Sequence, residues 1–334
     1  MKRWMRMHAL GWAAFTALTL FALLEFAVEL ADAAPPSLAS YTIWNRERDP
    51  ELLTDTGQFT FASRFLWEPR VHVADVQPDG HRGSSLAESR DGELRIAAIG
   101  DATTFGSGIG FGDAWPAQLE IELAKKNVAA QVLNFGVAEH STVQGCARYA
   151  ARVAALQPDL VIACFGEYSD RWPAPDGVDD AERVRRTALL GGRPHPLLDR
   201  FSSLRWLRQA LDAKQPPIRT DAGERASVHL VQESLKTLRD AVQGTGAKLL
   251  VIVAPLPPQH PRAKDAAGAA GELVKIAGEL QIPLVRADVA LGALPVDEVF
   301  LGPAWWTARA HAIVARETSV VAERMHLLGP GSRR

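Results

Sequence analysis

The stretch Arg95-Ile-Ala-Ala-Ile-Gly-Asp-Ala-Thr-Thr-Phe-Gly-Ser-Gly108 decides the reading of this chain. A short apolar run ends on a glycine–aspartate pair and passes into a turn rich in hydroxyls and glycine, as a buried strand does when it delivers its carboxyl end to a loop. Four more runs of strand length follow: Gln131-Val-Leu-Asn-Phe135, Asp159-Leu-Val-Ile-Ala-Cys-Phe165, Lys248-Leu-Leu-Val-Ile-Val253 and Ile282-Pro-Leu-Val-Arg286. Helical patterns alternate with them at Trp115–Lys126, Ser141–Leu156, Ala226–Val242, Ala263–Leu280 and Thr307–Leu328. Strands that are apolar throughout, alternating with helices, predict an α/β fold: a doubly wound, flavodoxin-like, five-stranded parallel sheet covered on both faces. In such sheets the ligand or reacting group sits at the carboxyl ends of the strands.

Composition excludes several classes. The chain has 334 residues, 37 Lys+Arg against 39 Asp+Glu and a formal net charge of −2, so it has no basic field with which to hold a phosphate backbone. Nucleic acid is not an expected partner. Cys146 and Cys164 cannot build a disulfide framework and stand in no metal-ligand spacing; they read as two buried thiols or as one bridge. His195, His229 and His260 lack mutual spacing, and no metal or cofactor is expected.

The amino terminus carries an address. Lys2, Arg3 and Arg6 precede an uncharged run from Ala9 to Leu24, followed by Glu25, Glu29 and the small residues Ala31-Asp-Ala-Ala34. Ala31 to Ala33 fits a signal-peptide cleavage site. Carboxylates between the apolar run and that site favour instead an uncleaved transmembrane anchor, since a helix over residues 8–30 would be about 34 Å long at roughly 1.5 Å per residue. In both readings the rest of the chain is exported. The expected organisation is a signal anchor over 1–34, a strap of loops and short strands over 35–93, and an α/β domain over 94–330 with an insertion at about 171–215. That insertion holds Pro173, Pro175, Gly191, Gly192 and Pro194, then a basic amphipathic stretch near Leu204-Arg-Trp-Leu-Arg208 that reads as a solvated face or a partner-docking helix.

Ile99-Gly-Asp-Ala-Thr-Thr-Phe-Gly-Ser-Gly108 with Trp115-Pro116 resembles the first block of the SGNH/GDSL hydrolase family. Leu133-Asn-Phe-Gly-Val-Ala138 with Ser141-Thr-Val-Gln144 is similar to its second block, and Pro158-Asp-Leu-Val-Ile162 with Phe165-Gly166 to its third. The last block is matched by Leu301-Gly-Pro-Ala-Trp-Trp-Thr-Ala-Arg-Ala-His311. Gly80-His-Arg-Gly83 and the Leu-Leu-Glu end of the apolar run are similar to membrane-anchored bacterial members. The resemblance covers most of the chain and implies an SGNH-like fold.

It also implies a chemistry: a serine nucleophile, a histidine base oriented by an aspartate, and an oxyanion hole of two backbone N–H groups and an asparagine amide. Ala102 stands where the serine is expected, Tyr168 where the asparagine is, and Gly302 and Trp305 where the aspartate and histidine are. Asp297-Glu-Val-Phe300 is a second possible register for the last block and also lacks the histidine. Only Gly136, the second-block glycine whose N–H would face the oxyanion, is retained. Because the triad works as a unit, losing one member typically costs about four to six orders of magnitude in rate and further losses add little.

The resemblance therefore implies a degenerate member that acts by binding, as an accessory or structural subunit of a membrane or cell-envelope complex. The expected setting is an inner-membrane anchor through residues 8–30, with the domain in the periplasm, a protein partner in the envelope and a possible glycan ligand. The alternative is an esterase on envelope glycans with relocated groups, drawn from Thr103, Thr104, Ser107, Glu139, His140, Glu167 and Asp170; His311 reads as structural. Tyr168 and Trp305 are far larger than the side chains they replace, which predicts rings that close the cleft over Ala102, or platforms for a sugar.

Overall fold

The computed structural model describes residues 2–30, 59–62, 66–86, 92–138, 140–165, 220–255, 263–301 and 305–329. Five strands, β3 (Leu94–Gly100), β4 (Ala130–Asn134), β5 (Leu160–Cys164), β6 (Lys248–Val253) and β7 (Leu284–Arg286), form one sheet in the order β4-β3-β5-β6-β7. Every pairing in it is parallel. The expected doubly wound sheet is thus present, with its chain reversal between β4 and β5 on either side of β3.

Alternation along each strand builds two cores. Ile96, Ala98, Leu160, Ile162, Leu250 and Ile252 face one side, where they meet Trp115, Leu119, Val314 and Trp306. Ala97, Ile99, Val161, Ala163, Leu249 and Val251 face the other, against Tyr149, Val153, Leu238 and Ile276. The first side is covered by α3 (Trp115–Lys125), α7 (Ala287–Gly292) and α9 (Ala308–Arg324), the second by α4 (Thr142–Arg148), α5 (Thr220–Gly244) and α6 (Ala263–Glu279). Each buried Leu, Ile or Val contributes about 1.5–3 kcal/mol, which makes the two-faced sheet the dominant stabilising element. At the β4 edge the Val132 N–H donates to Glu120 Oε2 at 2.8 Å, so a side chain of α3 occupies a donor that would otherwise invite another strand.

The helices depart from expectation in detail. The pattern over Ser141–Leu156 is α-helical only to Arg148, then widens into a π turn at Tyr149–Val153 and tightens into a 3-10 turn at Ala154–Leu156. A capping box starts it: the Ser141 hydroxyl accepts from the Gln144 N–H, and Gln144 Oε1 accepts from the Ser141 N–H at 3.0 Å. The short α2 (Ala102–Phe105), α8 (Val296–Val299) and the antiparallel pair β8 (Phe300–Leu301) and β9 (Trp305–Trp306) complete the carboxyl end of the sheet.

Residues 2–30 form one continuous helix, α1 (Lys2–Leu30). Among the described residues, however, no helix is long and apolar enough to cross a membrane, which corrects the expected transmembrane anchor over 8–30. The helix ends at Leu30 as expected but begins at Lys2 and not His8, and its apolarity was over-read: Glu25 and Glu29 fall inside it, as do Thr16 and Thr19, whose hydroxyls donate to the carbonyls of Trp12 and Phe15 at 2.9 Å each.

Of the strap, β1 (Phe59–Ala62) and β2 (Leu66–Pro69) pair antiparallel, as short strands were expected to. The segment 66–86 then docks on the domain, with Trp67 and Val76 buried and an isolated bridge from Arg82 to Asn134. The insertion at 171–215 lies outside the described residues.

Candidate functional site

The turn after β3 is built from backbone outward. Asp101, fully buried, caps α2: its carboxylate accepts from the Thr103 N–H at 2.9 Å and from the Thr103 hydroxyl at 2.7 Å. Thr104 donates its hydroxyl to the Cys164 carbonyl at 2.9 Å. Gly106, at φ 81°, ends the helix in the left-handed conformation that glycine adopts without strain. Thr103 and Thr104 are therefore a helix start and a tie between β3 and β5, with both hydroxyls engaged internally. Ser107 follows on the same turn, its N–H donating to the Ala102 carbonyl at 3.1 Å.

Ala102, which the resemblance sets where the nucleophile is expected, is 2% exposed. It forms a small apolar cluster with Ala138, and Trp305 packs on both. The same ring lies against Gly108, where a Cβ would stand 2.9 Å from Trp305 Cε3. The expectation that Trp305 leans over Ala102 is met. Tyr168, the other half of that expectation, lies outside the described residues, as do Gly302, Glu139, Glu167, Asp170, His195, His260 and the side chain of His229.

Gly136 is where expected in the chain, on the loop after β4, and its N–H is engaged within the protein. It donates to Asn134 Oδ1 at 3.0 Å, while Asn134 Nδ2 donates to the Phe105 carbonyl at 3.3 Å. A Cβ at 136 would stand 2.3 Å from Phe105 N, so the glycine serves close packing of this loop on α2. Nothing in the sequence pattern reveals this, because the acceptor that a backbone donor finds depends here on the rotamer of the neighbouring asparagine.

Among the described residues, burial fixes the form of three titratable groups, Cys164, His140 and His311. Burial, and secondarily the charge of Asp101, pushes the Cys164 thiol up to about 12, so it is no thiolate near neutrality; Cys146 is also a free thiol, its Sγ donating to the Ser234 carbonyl. His140 donates from Nε2 to the Trp67 carbonyl at 2.9 Å, and burial together with nearby Arg148 lowers its pKa to about 3. His311 accepts the Trp115 N–H at Nδ1 and is lowered to about 3 by burial and by Arg82. Both imidazoles are neutral, structural parts of the core. Asp297 is exposed on α8. Among the described residues, no group of three or more His, Cys, Asp or Glu is placed to hold a metal ion.

Two arginines missed by sequence reasoning frame this end of the sheet. Arg82 sends Nη1 to the carbonyls of Phe105 (2.7 Å) and Gly106 (2.9 Å) and Nη2 to that of Ile109 (2.8 Å). Arg148, 1% exposed, donates to Phe135 O and Gly80 O. The signal for Arg82 was present in Gly80-His-Arg-Gly83, read only as a likeness to the family.

No protein-family model matches the sequence, and no curated protein matches it. Solved structures similar to the chain include a lipolytic protein of the G-D-S-L family from Desulfitobacterium hafniense DCB-2, at 16% identity and TM-score 0.44, covering 68% of this chain and 99% of that one. TesA matches at 16% identity and TM-score 0.47, over 70% and 99%. Axe2, an acetylxylan esterase from Geobacillus stearothermophilus, matches at 16% and 0.44, over 72% and 96%. The first of these carries in its name the family that the sequence blocks resemble.

Two expectations follow from the geometry. Trp305→Ala should destabilise the protein by about 2–4 kcal/mol in urea titrations, because it leaves a gap over Ala102, Ala138 and Gly108; a change below about 0.5 kcal/mol would mean that the ring is not packed there. The second concerns pH. Because folding lowers the pKa of His140 and His311 from 6.5 to about 3, unfolding takes up protons below 6.5. Their contribution is full above 6.5 and is lost progressively as pH falls toward 3. Unfolding free energy measured from pH 7.5 to 4.5 should fall with a limiting slope of about two protons, reduced by about one in His140→Gln or His311→Gln.

Proposed function

We propose that this chain is a catalytically inactive SGNH-hydrolase-like protein that acts by binding, as an accessory or structural subunit of a membrane or cell-envelope complex. The observation that carries this is the turn at Ala102: a buried methyl group beneath the Trp305 indole, where the family's chemistry needs an accessible hydroxyl. The surroundings support it. The Gly136 N–H is engaged by Asn134, the hydroxyls of Thr103 and Thr104 by Asp101 and Cys164, and both described candidate imidazoles are buried and neutral. A nucleophile without a base and an oxyanion donor gains little from proximity alone.

Purified protein should show no turnover of short acyl esters above background and no covalent labelling by a serine-directed fluorophosphonate. Ala102→Ser should remain inactive, since among the described residues no base is positioned to take the proton. Stoichiometric labelling at a hydroxyl between Thr103 and Ser107, with turnover lost on its substitution, would establish instead an esterase with relocated groups acting on acylated envelope glycans.

We further place the domain outside the cytoplasm, associated with the membrane through residues 8–30. Lys2, Arg3 and Arg6 ahead of the exposed Trp12, Phe15, Leu18 and Leu23 support this orientation and contact. The native protein should sediment with membranes and yield peptides from residues 7–30. A soluble form beginning near Ala34 would identify the segment as a cleaved signal peptide.

A further inference from the structure

His81, in the segment that docks on the domain, has an acceptor at each of its two ring nitrogens. Nδ1 lies 2.6 Å from Asp79 Oδ1 and Nε2 lies 2.7 Å from the Ser84 carbonyl oxygen, with the side chain 2% exposed. A carbonyl oxygen only accepts, so Nε2 must carry a hydrogen. An ionised carboxylate also only accepts, so Nδ1 must carry one as well. A neutral ring has a single N–H, and in either tautomer it would turn a lone pair toward an oxygen at one of these two short contacts. The closed turn therefore holds one proton more than a neutral imidazole beside a carboxylate. Imidazole is the stronger base of the two, so that proton rests on Nδ1 and not on Asp79.

The charged groups of this region leave that assignment to Asp79. Its Oδ1 also accepts the His81 backbone N–H at 3.4 Å, while its Oδ2 is buried with no hydrogen-bond partner among the described residues. Phe135, after β4, stands 5.9 Å from the imidazole and offers its side of the ring neither donor nor acceptor. Arg148, on α4, reaches the same turn but donates to the Gly80 carbonyl, and Glu68 of β2 opposes its charge at 3.7 Å. Both oxygens of Glu68 are also taken by Arg152 Nη2, at 2.9 Å each. Arg82, next in sequence to His81, is spread over the carbonyls of Ala74, Phe105, Gly106 and Ile109.

We propose that His81 is a proton-operated clasp: as an imidazolium it bridges Asp79 to Ser84 and closes the turn over residues 79–84, and loss of its proton breaks one of the two bonds and frees that turn. Once freed, the side chain is an ordinary exposed histidine, neutral above about pH 6.5. Opening then releases a proton, so the clasp contributes fully below about pH 6.5 and is lost as the pH rises. The sense is opposite to that of His140 and His311, whose buried forms are neutral and whose contribution is lost on acidification. Acid thus acts on the core and base on the strap. The clasp operates whether or not the Ala102 turn performs chemistry.

Two measurements on the full-length protein test this. In protein labelled with nitrogen-15 histidine, two-bond proton–nitrogen correlation spectra at pH 7 should show both ring nitrogens of His81 protonated, its resonances being those missing from His81→Gln. A ring with one unprotonated nitrogen overturns the clasp. If His81→Gln does not fold, the same resonances are those that move in Asp79→Asn. The second measurement is amide hydrogen exchange between pH 6 and pH 9, corrected at each pH for the intrinsic chemical rate. Opening of peptides covering 77–86 should rise with pH by up to about tenfold per unit, the limit for release of one proton, with β3, β5 and β6 unchanged. Asp79→Asn keeps the shape of the partner, and its amide donates to an unprotonated Nδ1 while Nε2–H stays on the Ser84 carbonyl, so this variant should flatten the rise. Opening that is independent of pH in the unmodified protein, or that rises equally in Asp79→Asn, overturns the proposal.

Discussion

Among the described glycines, Gly100 leaves the least room for a side chain, and the carboxyl end of the sheet is arranged around it. A methyl group there would stand 1.9 Å from the Cys164 carbonyl oxygen and 2.2 Å from Thr104 Oγ1. Only glycine lets β3 end against β5 at this distance, and the consequence is that Thr104 can reach the Cys164 carbonyl and Asp101 can turn to cap α2. Gly136 does the same on the opposite side, where the β4 loop meets the backbone of Thr104 and Phe105. The turn is thus fixed by two glycines and a capping aspartate, none of which involves the side chain at 102. An alanine at that position leaves every one of these constraints in force, so the architecture of the turn does not depend on which side chain stands there.

What was legible in the sequence follows from how directly burial is written there. Strands buried on both faces are apolar at every position, and their ends fell within two residues of those read from the pattern. Volume was legible too: an indole opposite an alanine implied a ring lying over it, and Trp305 packs on Ala102 and Ala138. The amino-terminal helix was legible in its end at Leu30 but over-read in its apolarity. Where the signal failed, the deciding partners were backbone atoms distant in sequence. Arg82 and Arg148 look like ordinary surface charges until the carbonyls of Phe105, Gly106, Ile109, Phe135 and Gly80 converge on them. The π turn at Tyr149–Val153 is equally invisible, since the residues on both sides of it keep a helical period.

Buried charge at this end of the sheet answers a structural need. Arg148 is held down to about 10 by desolvation against the pull of Glu68, and Arg82 is lowered by burial against Asp75. A guanidinium group enters so dry a place only when its fork finds acceptors, and here these are backbone carbonyls from segments that have no other reason to lie together. The two arginines convert the orphan carbonyls of loops into a connection between the strap and the domain. Removing either would strand its carbonyl acceptors, and at Arg148 the carboxylate of Glu68 as well, a heavier cost than the few apolar contacts of the strap could offset.

A site built for hydrolysis keeps donors and bases directed at the place where substrate charge develops, and so leaves them unsatisfied within the protein until substrate arrives. Around Ala102 the polar groups point the other way. Asp101 faces Thr103, Asn134 faces Gly136 and Phe105, His140 faces Trp67, and Arg82 faces four carbonyls. Groups that satisfy one another gain rigidity and lose the capacity to stabilise anything external. A hydroxyl at 102 would therefore stand among side chains already engaged with one another, beneath an indole whose buried Nε1 has no hydrogen-bond partner among the described residues. This end of the sheet is held together by its own polar groups, which is the geometry of a packed junction.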